Sequence, residues 1–130
     1  MEQPLRIVAR AMQNRYARYH RLAEKARSDV DLARTGRLVA GMFMLVGICD
    51  ALSTNWALSH GAFEVNGAMR WLQDSLGPFW FVPKAMAHAL VAAMIVWSPN
   101  RMVLSIMAVM TVVTAMVVAN NVQIAAILSA

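Results

Sequence analysis

The sequence is short of charge over long stretches, and it has almost no cysteine. Of its 130 residues, 15% are charged and 59% are hydrophobic, whereas soluble domains carry about 25% charged residues. This composition disfavours a soluble globule and excludes intrinsic disorder and collagen. The one cysteine, Cys49, excludes an intrachain disulfide framework and a CxxC metal or redox motif.

Three tracts of the chain contain one charged residue or none. Residues 38–63 carry only Asp50, residues 75–100 carry only Lys84, and residues 102–130 carry no charge. A helix needs about 20 apolar residues to cross the hydrocarbon core of a bilayer. We therefore predict an all-α membrane protein in which three transmembrane helices follow a basic amphipathic N-terminal helix. The expected segments are an arm at 1–36 and a transmembrane domain at 37–130, with spans at about 38–58, 78–97 and 101–120 and a loop at 59–77.

The basic residues are concentrated at the N-terminus. Nine of the twelve Lys and Arg residues lie before residue 38, with four of the seven Asp and Glu residues, so this segment holds the whole net charge of +5. Positively charged segments stay on the cytoplasmic side, which predicts a cytoplasmic N-terminus. Three crossings put the loop at 59–77 and the C-terminus on the external, periplasmic side. Trp56 and Trp80 would then mark the outer membrane interface, and Trp97 the inner one.

The arm is amphipathic when it is drawn as a helix. An apolar row follows one face, and basic side chains occupy the opposite half. This pattern is typical of docking on anionic lipid headgroups or on a groove of a partner protein. The simpler interpretation is that the charges only set the membrane orientation, but orientation requires no apolar row. No nucleic-acid-binding fold is recognisable, so nucleic acid is not a predicted partner. The residues expected to dock are Arg6, Arg10, Arg15, Arg18, Arg21, Lys25, Tyr16 and Tyr19.

Asp50 and Lys84 are the two charges inside the predicted spans, where each costs about 2.5–3.5 kcal/mol on insertion scales. Counted from the nearby tryptophans they lie at similar depths, so we predict an ion pair between the first two spans. Thr54 and His88 lie one turn away on the same faces and complete a polar cluster. Two roles are open for it: a clamp that fixes helix pairing, or a proton or ion relay. Three helices can enclose a relay path only in an oligomer.

The sequence contains no HExxH, GxSxG, Walker or CxxCH motif, so we predict neither an enzyme nor a bound cofactor. His60 and Glu64 are four residues apart and would share a face of a helix, with Asn66 nearby. A metal site requires a third ligand at a defined spacing. None is found, and no metal is predicted.

The stretch from Leu45 to Lys84 resembles an uncharacterised family of small prokaryotic membrane domains. In that family an Asp precedes a Thr by four residues and a Leu by eight, followed by Gly, Glu, Asn-Pro and a Lys in the next helix. Here Gly67 replaces the proline, which predicts a looser loop. The resemblance implies a multi-helix membrane domain, with the bacterial inner membrane as its expected location, and no particular activity. The matching residues are Asp50, Thr54, Leu58, Gly61, Glu64, Asn66 and Lys84, and the outer-loop motif consists of His60, Gly61, Glu64 and Asn66.

These features favour two functions. The first is a non-catalytic accessory or assembly subunit of a larger inner-membrane complex, an energy-transducing complex being one candidate. Its predicted partners are anionic lipid headgroups and other integral membrane subunits. The second is a small homo-oligomeric transporter or channel that uses Asp50, Lys84 and His88.

Overall fold

The computed structural model describes the backbone of residues 3–130 and the side chains of residues 8–130. In this part of the chain every regular element is a helix and no strand occurs, as expected for an all-α protein. The elements are α1 (Gln3–Ser28), α2 (Val30–Ser59), α3 (Gly67–Leu76), a 3₁₀ turn (Gly77–Phe79), α4 (Phe81–Trp97) and α5 (Arg101–Leu128).

Asp29 separates α1 from α2. Its backbone is extended (φ −76°, ψ 104°), and its carboxylate accepts a hydrogen bond of 3.0 Å from the Leu32 N–H. A short acceptor at this N-cap position satisfies one of the free N–H groups that begin a helix. As a result α2 begins at Val30, before the predicted start near residue 38, and includes the last part of the arm.

α2 is the central helix. It packs against α4 on one side and α5 on the other, whereas α4 and α5 make few contacts with each other. α4 runs antiparallel to α2, since Asp50 meets Lys84 while Gly36, at the other end of α2, lies beside Pro99. A Cβ atom added to Gly36 would lie 3.1 Å from Pro99 Cβ. Small residues on α2 therefore allow the neighbouring chain to approach closely.

α5 runs parallel to α2. Leu104 near the start of α5 packs with Ala40, and Asn121, further along, contacts Thr54. On the face of α5 that meets α2, buried and half-buried residues recur every three or four positions. This spacing is typical of two helices that pack with a left-handed supercoil. It continues to Leu128, beyond the predicted end near residue 120, because no charge or proline interrupts the tract. The buried and half-buried positions on this face are Leu104, Met107, Thr111, Thr114, Val118, Asn121 and Ala125.

α2 and α5 are each long and apolar enough to cross a membrane. A third candidate consists of Gly67–Phe79 together with α4, which meet at an angle of 105°. α4 alone has 17 residues, or about 26 Å at 1.5 Å per residue, which is less than the ~30 Å of a hydrocarbon core. The described chain thus has two or three candidate spans. Their large apolar side chains, such as Leu45, Met86 and Val109, are more than half exposed, as is usual for surfaces that face lipid.

α1 touches the rest of the structure near its C-terminal end. Arg27 Nη1 donates a hydrogen bond of 2.6 Å to the carbonyl oxygen of Trp97, and the His20 ring lies 6.0 Å from the Trp97 ring in an edge-to-face arrangement. Ala23 lies between these two residues in sequence and is fully buried. One face of α1, over residues 20–27, therefore attaches it to the end of α4.

Candidate functional site

The predicted ion pair between α2 and α4 is present. Lys84 Nζ lies 2.6 Å from Asp50 Oδ2, and only 17% and 11% of the two side chains are exposed. Buried charges are tolerated in proteins when they are paired and hydrogen-bonded. The Lys84 ammonium also lies 5.7 Å from the centre of the Trp80 ring, a distance at which an aromatic face attracts a cation.

Hydroxyl and amide groups extend this pair toward α5. Thr54 Oγ1 donates to Asp50 Oδ1 at 3.5 Å, and Asn121 Nδ2 donates to Thr54 Oγ1 at 3.0 Å. Asn121 Nδ2 also lies 3.4 Å from Ser53 Oγ, whose hydroxyl donates to the backbone carbonyl of Asp50. Three helices thus contribute side chains to one polar cluster, with Lys84 coming from α4.

His88 joins this cluster only through the backbone. Its Nδ1 lies 2.9 Å from the carbonyl oxygen of Lys84, and because a carbonyl oxygen only accepts, Nδ1 carries the hydrogen. The ring stacks on Phe43, with centroids 4.6 Å apart and planes inclined by 16°, and it lies against Gly47. Among the described side chains, the imidazole makes no hydrogen bond to Asp50 or to Lys84 Nζ. The predicted trio is therefore not one continuous hydrogen-bonded chain.

Trp80, predicted to mark a membrane interface, is instead buried between helices. It is 4% exposed, and its Nε1 donates a hydrogen bond of 3.0 Å to Asn55 Oδ1 on α2. The indole can be buried because this bond satisfies its only polar atom. Trp56 and Trp97 keep 42% and 46% of their surface exposed.

The chain from 60 to 66 connects α2 to α3, and its first two residues terminate α2. His60 Nδ1 lies 2.9 Å from the carbonyl oxygen of Trp56. Gly61 has φ 93°, a left-handed conformation that glycine adopts without steric cost. The helical face predicted for His60 and Glu64 does not form, because α2 ends at Ser59. Within the described residues no three His, Cys, Asp or Glu side chains are arranged to hold a metal ion.

Glu64 and Asn66 organise the second half of this loop. Glu64 Oε1 accepts a hydrogen bond of 2.8 Å from the Asn66 N–H, and Asn66 Oδ1 accepts one of 3.0 Å from Ala68 N–H as the N-cap of α3. Arg70 donates from Nε and Nη2, at 3.0 and 2.6 Å, to the backbone carbonyl of Glu64. Gly67 is the first residue of α3, a position at which proline is favoured. Both glycine and the proline that the family has at this position therefore fit the first turn of α3.

A partly open cavity of about 490 Å³ lies between α2, α5 and the loop at 60–66, and we call it the loop cavity. The ion pair and Thr54 line it from one side, and Glu64 and Asn66 line it from the loop. Six of the seven residues that carry the family resemblance line this one cavity, and Gly61 is the exception. The structure thus joins three residues of the polar cluster and two of the outer-loop motif into a single site. His88, His60 and Gly61 are not on its lining.

The predicted docking residues lie on α1, away from the loop cavity. The basic residues from Arg10 to Lys25 named above are exposed, whereas the side chain of Arg6 lies outside the described residues. Tyr16 and Tyr19 are 67% and 65% exposed. At 3.6 residues per turn both tyrosines share the face of Ala23, so the face that attaches α1 to α4 continues beyond that contact.

Asn120 and Asn121 also line the loop cavity, and neither was predicted from the sequence. Two adjacent amide side chains in a tract without charge could have indicated a polar contact there, because polar side chains inside a membrane need partners. Thr111 and Thr114 lie in the same tract, and each donates to a carbonyl oxygen of its own helix, at 2.8 and 2.9 Å. Among the described side chains they make no hydrogen bond to the polar cluster.

A family model described as Domain of unknown function (DUF5658) matches residues 41–128. The chain belongs to the DUF5658 family. This match confirms the predicted membership of an uncharacterised domain family. It includes the whole lining of the loop cavity and leaves α1 outside the DUF5658 region. No curated protein and no solved structure matches the chain.

Proposed function

We propose that this chain is a non-catalytic accessory or assembly subunit of a larger bacterial inner-membrane complex, an energy-transducing complex being one candidate. The observation that carries this proposal is the uncovered face of α1. Ala23 is buried, but Tyr16 and Met12 on the same face are 67% and 68% exposed. One end of this face is buried against the rest of the chain and the other end is exposed. The exposed end can therefore contact a second protein next to the contact with α4.

The position of α1 supports the same role. The ring centre of His20 lies 5.5 Å from that of Tyr16 and 6.0 Å from that of Trp97. These three side chains form a row of aromatic rings from the end of α4 to the exposed part of the α1 face. Exposed arginines on the other side of α1 suit anionic lipid headgroups. α1 would then lie at the cytoplasmic surface of the membrane, held by lipid charge, while its aromatic face contacts a neighbouring subunit.

The accompanying topology has three crossings, with the N-terminus in the cytoplasm and the C-terminus in the periplasm. The antiparallel arrangement of α2 and α4, followed by the parallel α5, supports three crossings. The net charge of +5 carried by the first 37 residues supports the orientation.

The test is native electrophoresis of the full chain after extraction in a mild detergent, with quantitative identification of its companions. Substitution of Met12→Ser and Tyr16→Ser should remove a defined set of companions. Asn14→Ser, on the opposite face of α1, should retain that set. A chain that migrates as a monomer, or whose companions are indifferent to both variants, would overturn the proposal.

A second candidate is a small homo-oligomeric transporter or channel, and the loop cavity favours it. A cavity that reaches an ion pair inside a predicted span is the kind of feature that marks solute paths. Migration as a homo-oligomer, with solute uptake into vesicles that contain only this chain, would support this candidate over the first.

A further inference from the structure

We propose that the loop cavity binds a primary ammonium group carried on an apolar body. This inference is independent of the subunit role, and it deepens the second candidate function by naming a class of solute. It rests on the charges, the hydrogen-bonding groups and the size of the cavity.

The charges of the side chains that line the cavity do not sum to zero. Asp50 and Lys84 neutralise each other at 2.6 Å, which leaves the Glu64 carboxylate as a third charge on the lining. Within the described side chains Glu64 forms no ion pair. Arg70 is close, but its guanidinium is turned to the backbone carbonyl of Glu64 and it does not line the cavity. A single positive charge would therefore neutralise the lining.

The hydrogen-bonding groups favour the same ligand. An ammonium group donates three hydrogen bonds and accepts none. Glu64 uses one carboxylate oxygen for the Asn66 N–H, so the other is open to a donor. Asn121 engages its amide nitrogen with Thr54, which leaves its carbonyl oxygen as an acceptor. An anion, in contrast, would meet two carboxylates and a lysine that is already paired.

The size and the walls of the cavity indicate the rest of the ligand. Its volume of about 490 Å³ is far more than an ammonium ion alone requires, since one water molecule occupies about 30 Å³ in the liquid. Leu58, Phe63, Val117 and Ile124 supply apolar walls. Burial of alkyl groups against such walls contributes about 0.8 kcal/mol for each CH₂, so an alkyl body adds affinity that a bare ion lacks.

Two sources can supply this chemistry: a soluble amine, or a lipid with an ethanolamine headgroup. The probe is hexylammonium, titrated calorimetrically into the full chain in phosphatidylcholine nanodiscs, with empty discs as the blank. Hexanol and hexanoate have the same alkyl length without the positive charge. We expect binding of hexylammonium, weaker binding of hexanol, and none of hexanoate.

Two variants locate the site. Glu64→Gln should weaken hexylammonium binding about tenfold, the loss expected when a hydrogen bond to a charged group is removed. Glu24→Gln on α1 changes the same charge away from the cavity and should have no effect. Val117→Phe should fill the cavity and reduce binding, whereas Val113→Phe, one turn earlier and not on the cavity lining, should leave it unchanged. The two valine variants keep the test valid if the Glu64→Gln protein does not fold.

Repeating the titration in discs that contain phosphatidylethanolamine distinguishes the sources. A weaker apparent affinity there means that the lipid headgroup competes for the cavity, and an unchanged affinity indicates a soluble amine. The proposal is overturned if hexylammonium does not bind in phosphatidylcholine discs, if hexanoate binds as well, or if neither cavity variant alters binding. A binding result in purified discs is unaffected by whether the chain has partner subunits or transports anything.

Discussion

The imidazole of His88 occupies the space that a side chain at position 47 would need. A Cβ atom added to Gly47 would lie 2.7 Å from His88 Nε2, well inside van der Waals contact. The ring has little freedom to move, because it stacks on Phe43 and its Nδ1 donates to the carbonyl oxygen of Lys84. The spacing of α2 and α4 at this level is therefore set by one glycine and one histidine.

Gly47→Ala should destabilise the protein by about 1–3 kcal/mol, the usual cost of adding a methyl group to a tightly packed contact. Thermal unfolding in a mild detergent measures the effect. Gly41→Ala is the matched control, since nothing lies within 4 Å of a Cβ at that position, and alanine in a helix is favoured over glycine. Adding His88→Ala to Gly47→Ala should cost less than the sum of the single changes. Strict additivity would mean that the two residues do not touch.

Asp50→Asn and Lys84→Met should each lower the free energy of unfolding by about 3–5 kcal/mol, because each leaves a buried charge without its partner. The double variant Asp50→Leu, Lys84→Met should recover part of this loss. Glu24→Gln is the control: the His20–Glu24 pair is 4.0 Å apart with half-exposed side chains, and such pairs contribute little. If both single variants stay stable yet stop an ion flux, a relay role replaces the clamp.

The ion pair could be predicted from the sequence because each of its members is the only charge in its tract, and an isolated charge in an apolar helix needs a partner. Its neighbours were harder to predict. Asn121 reaches Thr54 only because of the register between α2 and α5, and hydropathy carries no information on register. The predicted end of the last span near residue 120 also left Asn121 just outside it.

Trp80 and His88 illustrate a second limit of the sequence. Tryptophan is frequent at membrane interfaces, but a partner for its N–H also permits burial, and Asn55 provides one. His88 shares a face with Lys84, as predicted, yet its imidazole packs on Phe43. A helical wheel identifies the face of a side chain, whereas its contacts depend on the shape of the opposite helix.

Gly67→Pro should stabilise the protein by about 0.4–1 kcal/mol, because proline restricts the unfolded chain and fits the first turn of a helix. The structure is compatible with this change. Asn66 has φ −72° and ψ 111°, an extended conformation suited to a residue before proline, and a Cβ on Gly67 meets nothing within 4 Å. Thermal unfolding midpoints provide the measurement. A lower midpoint would show that the Gly67 N–H or its flexibility is required.

Gly61→Ala should act in the opposite direction, with a loss of about 1–2 kcal/mol. Its φ of 93° is costly for any residue with a Cβ. Space is available around the site, so the loss would come from the backbone alone. Gly61→Asn should be less harmful than Gly61→Ala, since asparagine tolerates positive φ better; equal unfolding midpoints for the two variants would contradict this explanation.

Reporter fusions at Ala130 and within residues 61–75 should both indicate the periplasmic side, and a fusion at Met1 the cytoplasmic side. The reason is the charge asymmetry between the first 37 residues and the rest of the chain. Enzymatic reporters that are active on only one side of the membrane provide the measurement. A cytoplasmic C-terminus would require an even number of crossings and would contradict the proposed topology.

The separation of Asp50 and Lys84 along the chain has a consequence for biosynthesis. If α2 enters the bilayer as the chain is synthesised, its carboxylate does so while the counter-ion is still 34 residues behind. α4 then arrives with 17 residues and a lysine, so it is both short and charged for a helix that must insert unaided. Pairing with Asp50 would offset the cost of inserting that lysine. In such an insertion α2 would act as the receptor for α4, and the order of synthesis would become part of how the membrane domain is assembled.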